Sequence, residues 1–327
     1  MEKNLSSLGF MSGTSGDGVD TSVISSNGKD IINIKYNRFD PYPITLSNKI
    51  HKVKENISEM KDLLKYSSVI EELEIQITNF HADIANKVST EVDFDLIGFH
   101  GHTIYHNPEQ KISKQIGLGV DLSKKTKKTV VYNFRQEDIK NGGEGAPLTP
   151  IYHLALIKEL FNENRVKIPI SILNIGGIAN ITEIDKDFKI KSRDIGPGNC
   201  LIDMWVRKNS NKLFDENGNF AEEGKTDKFI FDQYLDNFYY SKIKSKRSLD
   251  TNDFDISFAK GLSLENGTAT ITNLTSELLS KKIGTNDVYV CGGGRKNKFL
   301  IDSLKKKINN NIFSIDDLNI DGDYIES

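Results

Sequence analysis

The amino-acid sequence predicts an α/β protein of two domains that repeat one unit: a strand, a glycine turn with small polar residues, and two more strands. Three observations carry this. Residues 5–10 (LSSLGF) read as a strand feeding the turn SGTSGDG, and residues 169–175 (PISILNI) as a strand feeding Gly176-Gly177. Each turn is followed by a run of alternating apolar and polar residues, VDTSVISS in the first half and IANITEI in the second, the period-two signature of a half-buried strand. The chain has 327 residues, which suits two cores better than one. One recurrence over such a distance reads as a divergent internal duplication, not as a short repeat array.

The remaining elements follow in order. Residues 31–36 (IINIKY) alternate as a strand. Val69, Leu73, Ile77, Phe80, Ile84 and Val88 recur at spacings of three and four, which makes one apolar helix face. A buried strand is expected at 95–100 (DLIGFH), with further strands at 114–118 and 129–133. Residues 134–150 (FRQEDIKNGGEGAPLTP) are rich in Gly, Pro and charge and read as a long functional loop. The domain boundary is placed there, giving domains 1–132 and 133–327, and a helix is expected from about Pro150. In the second half a strand is expected at 188–192 and helices at 198–209, 226–239 and 266–283. The run DVYVCGGG (287–294) reads as a strand entering a triple glycine, with a helix from about Lys296.

Composition excludes several classes of function. Hydrophobic residues make up 37% and charged residues 27%, with a formal net charge of -3. No global basic excess advertises a nucleic-acid or membrane surface. No run approaches 18 apolar residues, so no transmembrane helix is expected, and the start MEKNLSSLGF lacks the apolar core of a signal peptide. The two cysteines, Cys200 and Cys291, form no CxxC pair and are expected reduced in the interior. The reading is a soluble cytoplasmic protein.

Five motifs carry chemistry. In Met11-Ser12-Gly13-Thr14-Ser15-Gly16-Asp17-Gly18-Val19-Asp20 the glycines let backbone approach a phosphate, and amides and hydroxyls donate to its oxygens. Asp17 and Asp20 can hold Mg²⁺ directly or through water. The GK[ST] ending of a Walker loop is absent, and an unliganded polar hairpin stays open. Asn174-Ile175-Gly176-Gly177-Ile178-Ala179-Asn180 is the equivalent hairpin of the second half. Two such hairpins facing each other across a cleft can grip a triphosphate, as expected of the actin, hexokinase and heat-shock ATPase superfold. Arg193-Asp194-Ile195-Gly196-Pro197-Gly198-Asn199 puts a carboxylate before a turn and a helix start, where Asp194 can hold Mg²⁺, accept a proton, or merely cap the helix. In the loop from Asn133 to Leu148, Arg135 can bind a carboxylate or phosphate, or pair with Asp138. Cys291-Gly292-Gly293-Gly294-Arg295-Lys296-Asn297 suits close approach of a nucleotide, or is a tight strand–helix turn. His100 and His102 would share a face of one strand, and substrate hydrogen bonding suits them better than a metal.

The strings MSGTSGDGVD, GFHGHT, NFRQEDIKNGGEGAPLTPIYH, NIGGIANIT, DIGPGNCLID and CGGGRKN, in this order, resemble the anhydro-N-acetylmuramic acid kinase family over about residues 8–300. The resemblance implies a two-domain actin-like ATPase fold, a duplicated ribonuclease H-like architecture with an interdomain cleft, that uses ATP and Mg²⁺. It implies a kinase that opens 1,6-anhydro-N-acetylmuramic acid with water and phosphorylates O6, giving N-acetylmuramic acid 6-phosphate and ADP in cell-wall recycling. Asp194 matches the family's catalytic aspartate. Gly13, Thr14, Ser15, Gly16, Asp17, Gly18, Val19 and Asp20 match its ATP-phosphate segment, with Asp17 toward Mg²⁺. Gly176, Gly177, Gly292, Gly293, Gly294 and Asn297 complete the expected nucleotide contacts, and His102, Arg135, Asn180 and Asn199 the expected sugar contacts. Relatives also suggest a homodimer. The family pattern has Asp at Asn133, Gln at His102 and Glu144, and Thr at Ile195, where a hydroxyl beside Asp194 is lost. Relatives usually continue beyond the final DYIES with an apolar helix. Two other readings are a kinase of another sugar on the same fold and a non-catalytic ATP-binding switch.

Overall fold

A computed structural model of the chain describes residues 4–13, 15–29, 32–240, 248–284 and 286–327. It divides into two compact units, Met1–Val166 with Glu326–Ser327, and Lys167–Ile325.

The first unit runs β1 (Leu5–Ser12), β2 (Gly18–Ser26), β3 (Ile32–Pro41), α1 (Ile44–Asn56), α2 (Met60–Lys65), α3 (Ser67–Val88), β4 (Leu96–Asn107), β5 (Ile112–Ile116), α4 (Gly119–Thr126), β6 (Thr129–Tyr132), α5 (Phe134–Lys140) and α6 (Pro150–Asn162). Strands β1, β2 and β3 form an antiparallel meander. Strand β1 also pairs in parallel with β4, whose first half runs parallel to β6 and whose second half pairs antiparallel with β5. Leu8, Phe10, Val19, Val23, Ile97 and Phe99 of the sheet pack on Leu73, Ile77, Ile84 and Val88 of α3. Burying such side chains supplies about 1.5–3 kcal/mol each. On α3 the apolar face begins at Ile70, which is buried, and Val69 is exposed.

The second unit repeats the plan with β7 (Ile170–Ile175), β8 (Ile178–Ile184), β9 (Ile190–Pro197), α7 (Cys200–Asn209), α8 (Asn219–Glu223), α9 (Lys228–Tyr240), α10 (Leu264–Ser280), β10 (Asp287–Cys291), α11 (Lys298–Lys305) and β11 (Ile312–Ser314). Here β7, β8 and β9 are the antiparallel meander, and β10 and β11 extend the sheet in parallel from β7. Helices α10 and α11 cover one face through Leu279, Leu300 and Leu304 against Leu173, Ile181, Val288 and Val290. Strand order is β11-β10-β7-β8-β9, and the first unit gives β3-β2-β1-β4 with β6 beyond β4. Both are a three-stranded meander followed by two parallel strands reached through helices. This is the duplicated ribonuclease H-like plan of the actin-like ATPases.

Two expectations shift. The stretch 134–150 is not all loop, because its first seven residues form α5. Only Ile139 of α5 is buried, so the segment has no apolar period to read. The units divide after Val166, where the sequence suggested 132/133. Helix α5 is fastened to the first sheet: the Ser113 N–H donates to Gln136 Oε1 at 3.0 Å, and Arg135 Nε donates to His100 Nε2 at 2.7 Å.

Candidate active site

In the first unit the turn after β1 is built around its own backbone. The Gly16 N–H donates to Gly13 O at 3.1 Å, and Gly16 takes φ +58°, a left-handed value that favours glycine. Ser47 Oγ of α1 donates to Gly16 O at 2.7 Å, and the Tyr42 N–H to Asp17 O at 2.8 Å. Asp17 is exposed at the tip and accepts from Ser15 Oγ at 2.5 Å. Gly18 and Val19 are buried where β2 begins, and Asp20 is half-buried opposite Met11. A Cβ on Gly18 would lie 2.5 Å from Asp40 O, so packing demands that glycine. A Cβ on Gly13 would meet nothing nearer than Ser15 Oγ at 3.7 Å, beyond its chain neighbours. Thr14 lies outside the described residues.

The histidines of β4 do not share a face. Between Phe10 and Ser12 of β1, strand β4 advances from Phe99 to His102, one residue too many, and Gly101 takes φ +73°. This bulge reverses the alternation. His100 therefore turns to α5. Its Nδ1 donates to Gly101 O at 2.8 Å, which leaves Nε2 to accept from Arg135. Burial, reinforced by the Arg135 charge, pushes His100 down to about 3, so the ring is neutral. Arg135 also donates through Nη1 to Gly145 O at 2.7 Å, and Asp138 Oδ2 accepts the Gly145 N–H at 2.7 Å. Arg135 and Asp138 thus clamp the glycine loop from two sides.

His102 lies on the other face, fully buried. Ser12 Oγ is 2.9 Å from both Tyr42 Oη and His102 Nδ1. If Tyr42 donates to Ser12 and Ser12 to Nδ1, the hydrogen of His102 stands on Nε2. Nε2 is unpaired in either order, but the reverse order would also leave the buried Tyr42 O–H without an acceptor, which costs more. Nε2 has no hydrogen-bond partner among the described residues. Burial and then the positive charge of Lys54 hold His102 well below the ordinary histidine range.

In the second unit the motif residues converge at the carboxyl ends of β7 and β10. The register pairs Asp194 with Asn180, Asn180 with Asn174, and Asn174 with Cys291. These four residues form one rung across four strands, on the face opposite α10 and α11. A bulge in β9 makes this possible: Ala179 pairs with Gly196 and Asn180 with Asp194, so Ile195 is the extra residue. Ile195 turns into the core with Leu173, Ala179 and Leu279. The Ile195 side chain therefore falls on the face away from Asp194. Asp194 is half-buried, and its Oδ2 accepts the Leu249 N–H at 2.8 Å.

The turn after β9 closes on the turn after β7. The N–H groups of Gly198 and Asn199 donate to Gly177 O at 2.9 Å and Gly176 O at 2.8 Å, and Asn199 Nδ2 donates to Ile175 O at 3.3 Å. A Cβ on Gly198 would stand 2.2 Å from Gly176 O. Gly292 takes φ +76°, with Asn174 Oδ1 only 2.1 Å from its Cβ position, and a Cβ on Gly294 would stand 2.2 Å from Ile175 Cγ2. These glycines are demanded by close packing of strand on turn. Gly176 and Gly293 are not: the nearest atoms to a Cβ there are Ile178 O at 3.4 Å and Asn199 Nδ2 at 4.0 Å. Asn297 is buried, and its Oδ1 caps α11 by accepting the Leu300 N–H at 2.9 Å.

The structure thus gathers Gly176, Gly177, Asn180, Asp194, Asn199, Gly292, Gly293 and Gly294 in the second unit. In the first unit it places Gly13 and Ser15–Asp20 beside His102 through Ser12, with Arg135 on the opposite face of the sheet. The sequence gives no sign of Tyr42, and it places Arg295 in the triple-glycine motif without a role of its own. Arg295 is almost wholly buried and donates to Asp316 at 2.7 Å, Asp323 at 2.5 Å and Gly292 O at 3.1 Å, which fixes the triple-glycine turn. Its place directly after three glycines was the available signal.

Two units of one strand plan, with glycine turns and a carboxylate at the strand ends, make up the duplicated α/β architecture that the sequence predicts. The chain belongs to the anhydro-N-acetylmuramic acid kinase family, which it matches over residues 6–327. It is 45% identical to the anhydro-N-acetylmuramic acid kinase of Pelagibacter ubique (strain HTCC1062) over 342 positions, covering 100% of this chain and 90% of that protein. It is 35% identical to that of Zymomonas mobilis subsp. mobilis (98% and 89% covered) and 32% identical to that of Rhizobium johnstonii (98% and 88%).

Proposed function

We propose that the protein uses ATP to convert 1,6-anhydro-N-acetylmuramic acid into N-acetylmuramic acid 6-phosphate and ADP. In this reading Asp194 takes a proton from water as the water oxygen bonds to C1. The C1–O6 bond breaks with its electron pair on O6, and O6 bonds to the γ-phosphorus as the bond to ADP breaks. The family name of the relatives supports the sugar and the reaction class. The observation that carries the base is the bulge in β9, which turns Asp194 onto the Asn180 face and braces one oxygen on the Leu249 N–H.

Nucleotide binding is supported by the sorting of the glycines. Gly13, Gly176 and Gly293 have room for a Cβ that packing does not fill, as expected where backbone must meet a phosphate or a nucleoside. We assign the ATP phosphates to Gly13–Asp20, including Thr14, and to Gly176 and Gly177. The nucleoside is assigned to Gly292–Gly294 and to the amide nitrogen of Asn297. His102, Arg135, Asn180 and Asn199 are assigned to the sugar. The exposed carboxylate of Asp17, already oriented by Ser15, suits Mg²⁺, which takes hard oxygen ligands and keeps several waters. The metal would neutralise phosphate charge. Among the described residues no helix is long and apolar enough to cross a membrane. A cytoplasmic homodimer working in cell-wall recycling completes the reading.

The test is ADP release with 1,6-anhydro-N-acetylmuramic acid, ATP and Mg²⁺, for the protein and for Asp194→Asn, with the sugar product identified by mass. Turnover to a sugar 6-phosphate that Asp194→Asn lowers by at least about 10³-fold is expected. Turnover with a different sugar only, or unchanged turnover in Asp194→Asn, would overturn the reading.

A further inference from the structure

Asn180 is nine-tenths buried, and its Oδ1 has no hydrogen-bond donor among the described residues. A buried amide oxygen left unpaired costs about 1–3 kcal/mol, so such an atom in a folded protein calls for a reason. Its cross-strand partner is Asp194. Side chains directly opposite on one face have Cβ atoms within about 5.5 Å, and two short side chains at that distance reach each other. As a carboxylate Asp194 has only acceptors to offer, so Oδ1 stays unpaired beside it. Once Asp194 carries a proton it becomes a donor.

We propose that Asn180 is a positioning residue for Asp194: its side-chain carbonyl accepts the hydrogen bond of the protonated carboxyl and so draws the proton onto Asp194. This rests on the reading of Asp194 as the base. The balance is that of the reaction already written. The proton leaves water for an Asp194 oxygen, the new O–H donates to Asn180 Oδ1, and the electron pair freed on water forms the bond to C1. The unpaired oxygen in the resting protein is then a defect that the proton transfer repairs. An acceptor facing a carboxylate disfavours the ionised form and favours the acid, which makes Asp194 a stronger base.

Among the described residues, the charged groups on neighbouring elements are these. Arg193 turns to the other face, where it is paired with Glu183 and donates to Lys282 O. Glu277 on α10 is paired with Lys281 and Lys307. Asp250 and Asp253 follow Leu249 on the segment that braces Asp194, and the Asp250 N–H donates to Asp253. Asn174, next along the rung, is neutral.

The experiment titrates the Asp194 carboxyl by ¹³C NMR in protein labelled at aspartate, the signal being assigned by its loss in Asp194→Asn. Asn180→Ala removes the acceptor and is expected to lower the midpoint by about one pH unit. Asn180→Asp keeps an acceptor and adds a charge, and is expected to raise it. The acidic limb of kcat/KM should move with each midpoint. An unchanged or raised midpoint in Asn180→Ala would overturn the proposal, since it would mean that the amide presents its nitrogen to the carboxylate. If Asn180→Ala does not fold, an unchanged or lowered midpoint in Asn180→Asp overturns it equally. A midpoint that moves as expected in a protein whose Asp194→Asn variant remains active would instead sink the assignment of the base.

Discussion

Gly293 and Gly294 are adjacent, chemically identical, and expected to respond in opposite ways to alanine. A methyl on Gly294 would lie 2.2 Å from Ile175 Cγ2, 2.6 Å from Ile175 Cβ and 3.0 Å from Ile175 O. Two of those atoms cannot retreat without moving β7, so the cost belongs at the upper end of the overpacking range, about 3 kcal/mol. A methyl on Gly293 meets only Asn199 Nδ2, at 4.0 Å, and the residue has no left-handed φ to oppose a side chain. There the loss of freedom in the unfolded chain should stabilise by about 0.4–1 kcal/mol. The variants should therefore differ by about 3–4 kcal/mol. At about 2–4 °C per kcal/mol for a unit of this size, their Tm values should lie roughly 6–16 °C apart, Gly294→Ala below and Gly293→Ala at or above the parent. Binding of a non-hydrolysable ATP analogue by calorimetry should invert the ranking of Gly293→Ala against the parent. A methyl where backbone must approach the nucleotide should weaken affinity at least about tenfold, or 1.4 kcal/mol. A Gly293→Ala protein that binds as tightly as the parent would refute the reasoning that open glycines mark the ligand, and equal Tm values would refute the packing argument.

Two further predictions concern stability. All six histidines lie in the first unit, and burial holds His81 and His153 down to about 4 and, with the Arg135 charge added, His100 and His106 to about 3. The unfolded chain takes up these protons near pH 6.5 while the folded unit does not, so each contributes stability above pH 6.5 that is lost as pH falls, about 1.4 kcal/mol per pH unit. Urea unfolding should show the first unit weakening steeply between pH 6.5 and 5, and His81→Phe, in a site already lined by Phe10 and Phe99, should flatten the slope. Flat stability across that range would contradict the assignment. Arg295→Met should cost about 2 kcal/mol, between the values for exposed and buried ion pairs, because its aspartate partners are partly exposed. Burial alone would raise Asp316 and Asp323, but hydrogen bonds from Arg295 hold both below the ordinary carboxylate range. The stability they contribute is present above about pH 4 and lost on further acidification. That acid limb should disappear in Arg295→Met, as read by thermal unfolding at pH 3 to 6.

Much of the fold was legible because the meanders advertise themselves locally. VDTSVISS and IANITEI alternate cleanly, and β2 and β8 are the strands they form. Less legible were features that depend on pairing. The bulge at Gly101 leaves no mark on GFHGHT that separates it from a regular strand, so His100 and His102 looked like neighbours on one face. Helix α5 was hidden by having a single buried residue. Ile195 follows Asp194 in sequence, but successive residues of a strand face opposite ways, and Ile195 lies in the core on the other face. The candidate site fared similarly: its residue types and its glycines stood out in sequence, but which glycines are packed and which are open is decided by atoms of other strands.

The two units make the same sheet and differ in where their bulges fall. In the first unit the register shifts between β2 and β3 and between β4 and β5, and a bulge on β4, the parallel partner of the leading strand, sets His102 against Ser12 at the start of the glycine turn. In the second the bulge falls on β9, the outer strand of the meander, and sets Asp194 against Asn180. A bulge changes which face a residue serves without disturbing the rest of the ladder. Duplicated halves can therefore share a core pattern and still present different chemistry at the same end of the sheet. In one half the polar residue brought inward is a neutral imidazole tied to a hydroxyl, suited to holding a group in place. In the other it is a carboxylate beside an unpaired amide oxygen, suited to taking a proton. The hairpin glycines are common to the two halves, and the bulges change which polar side chains each half presents beside them.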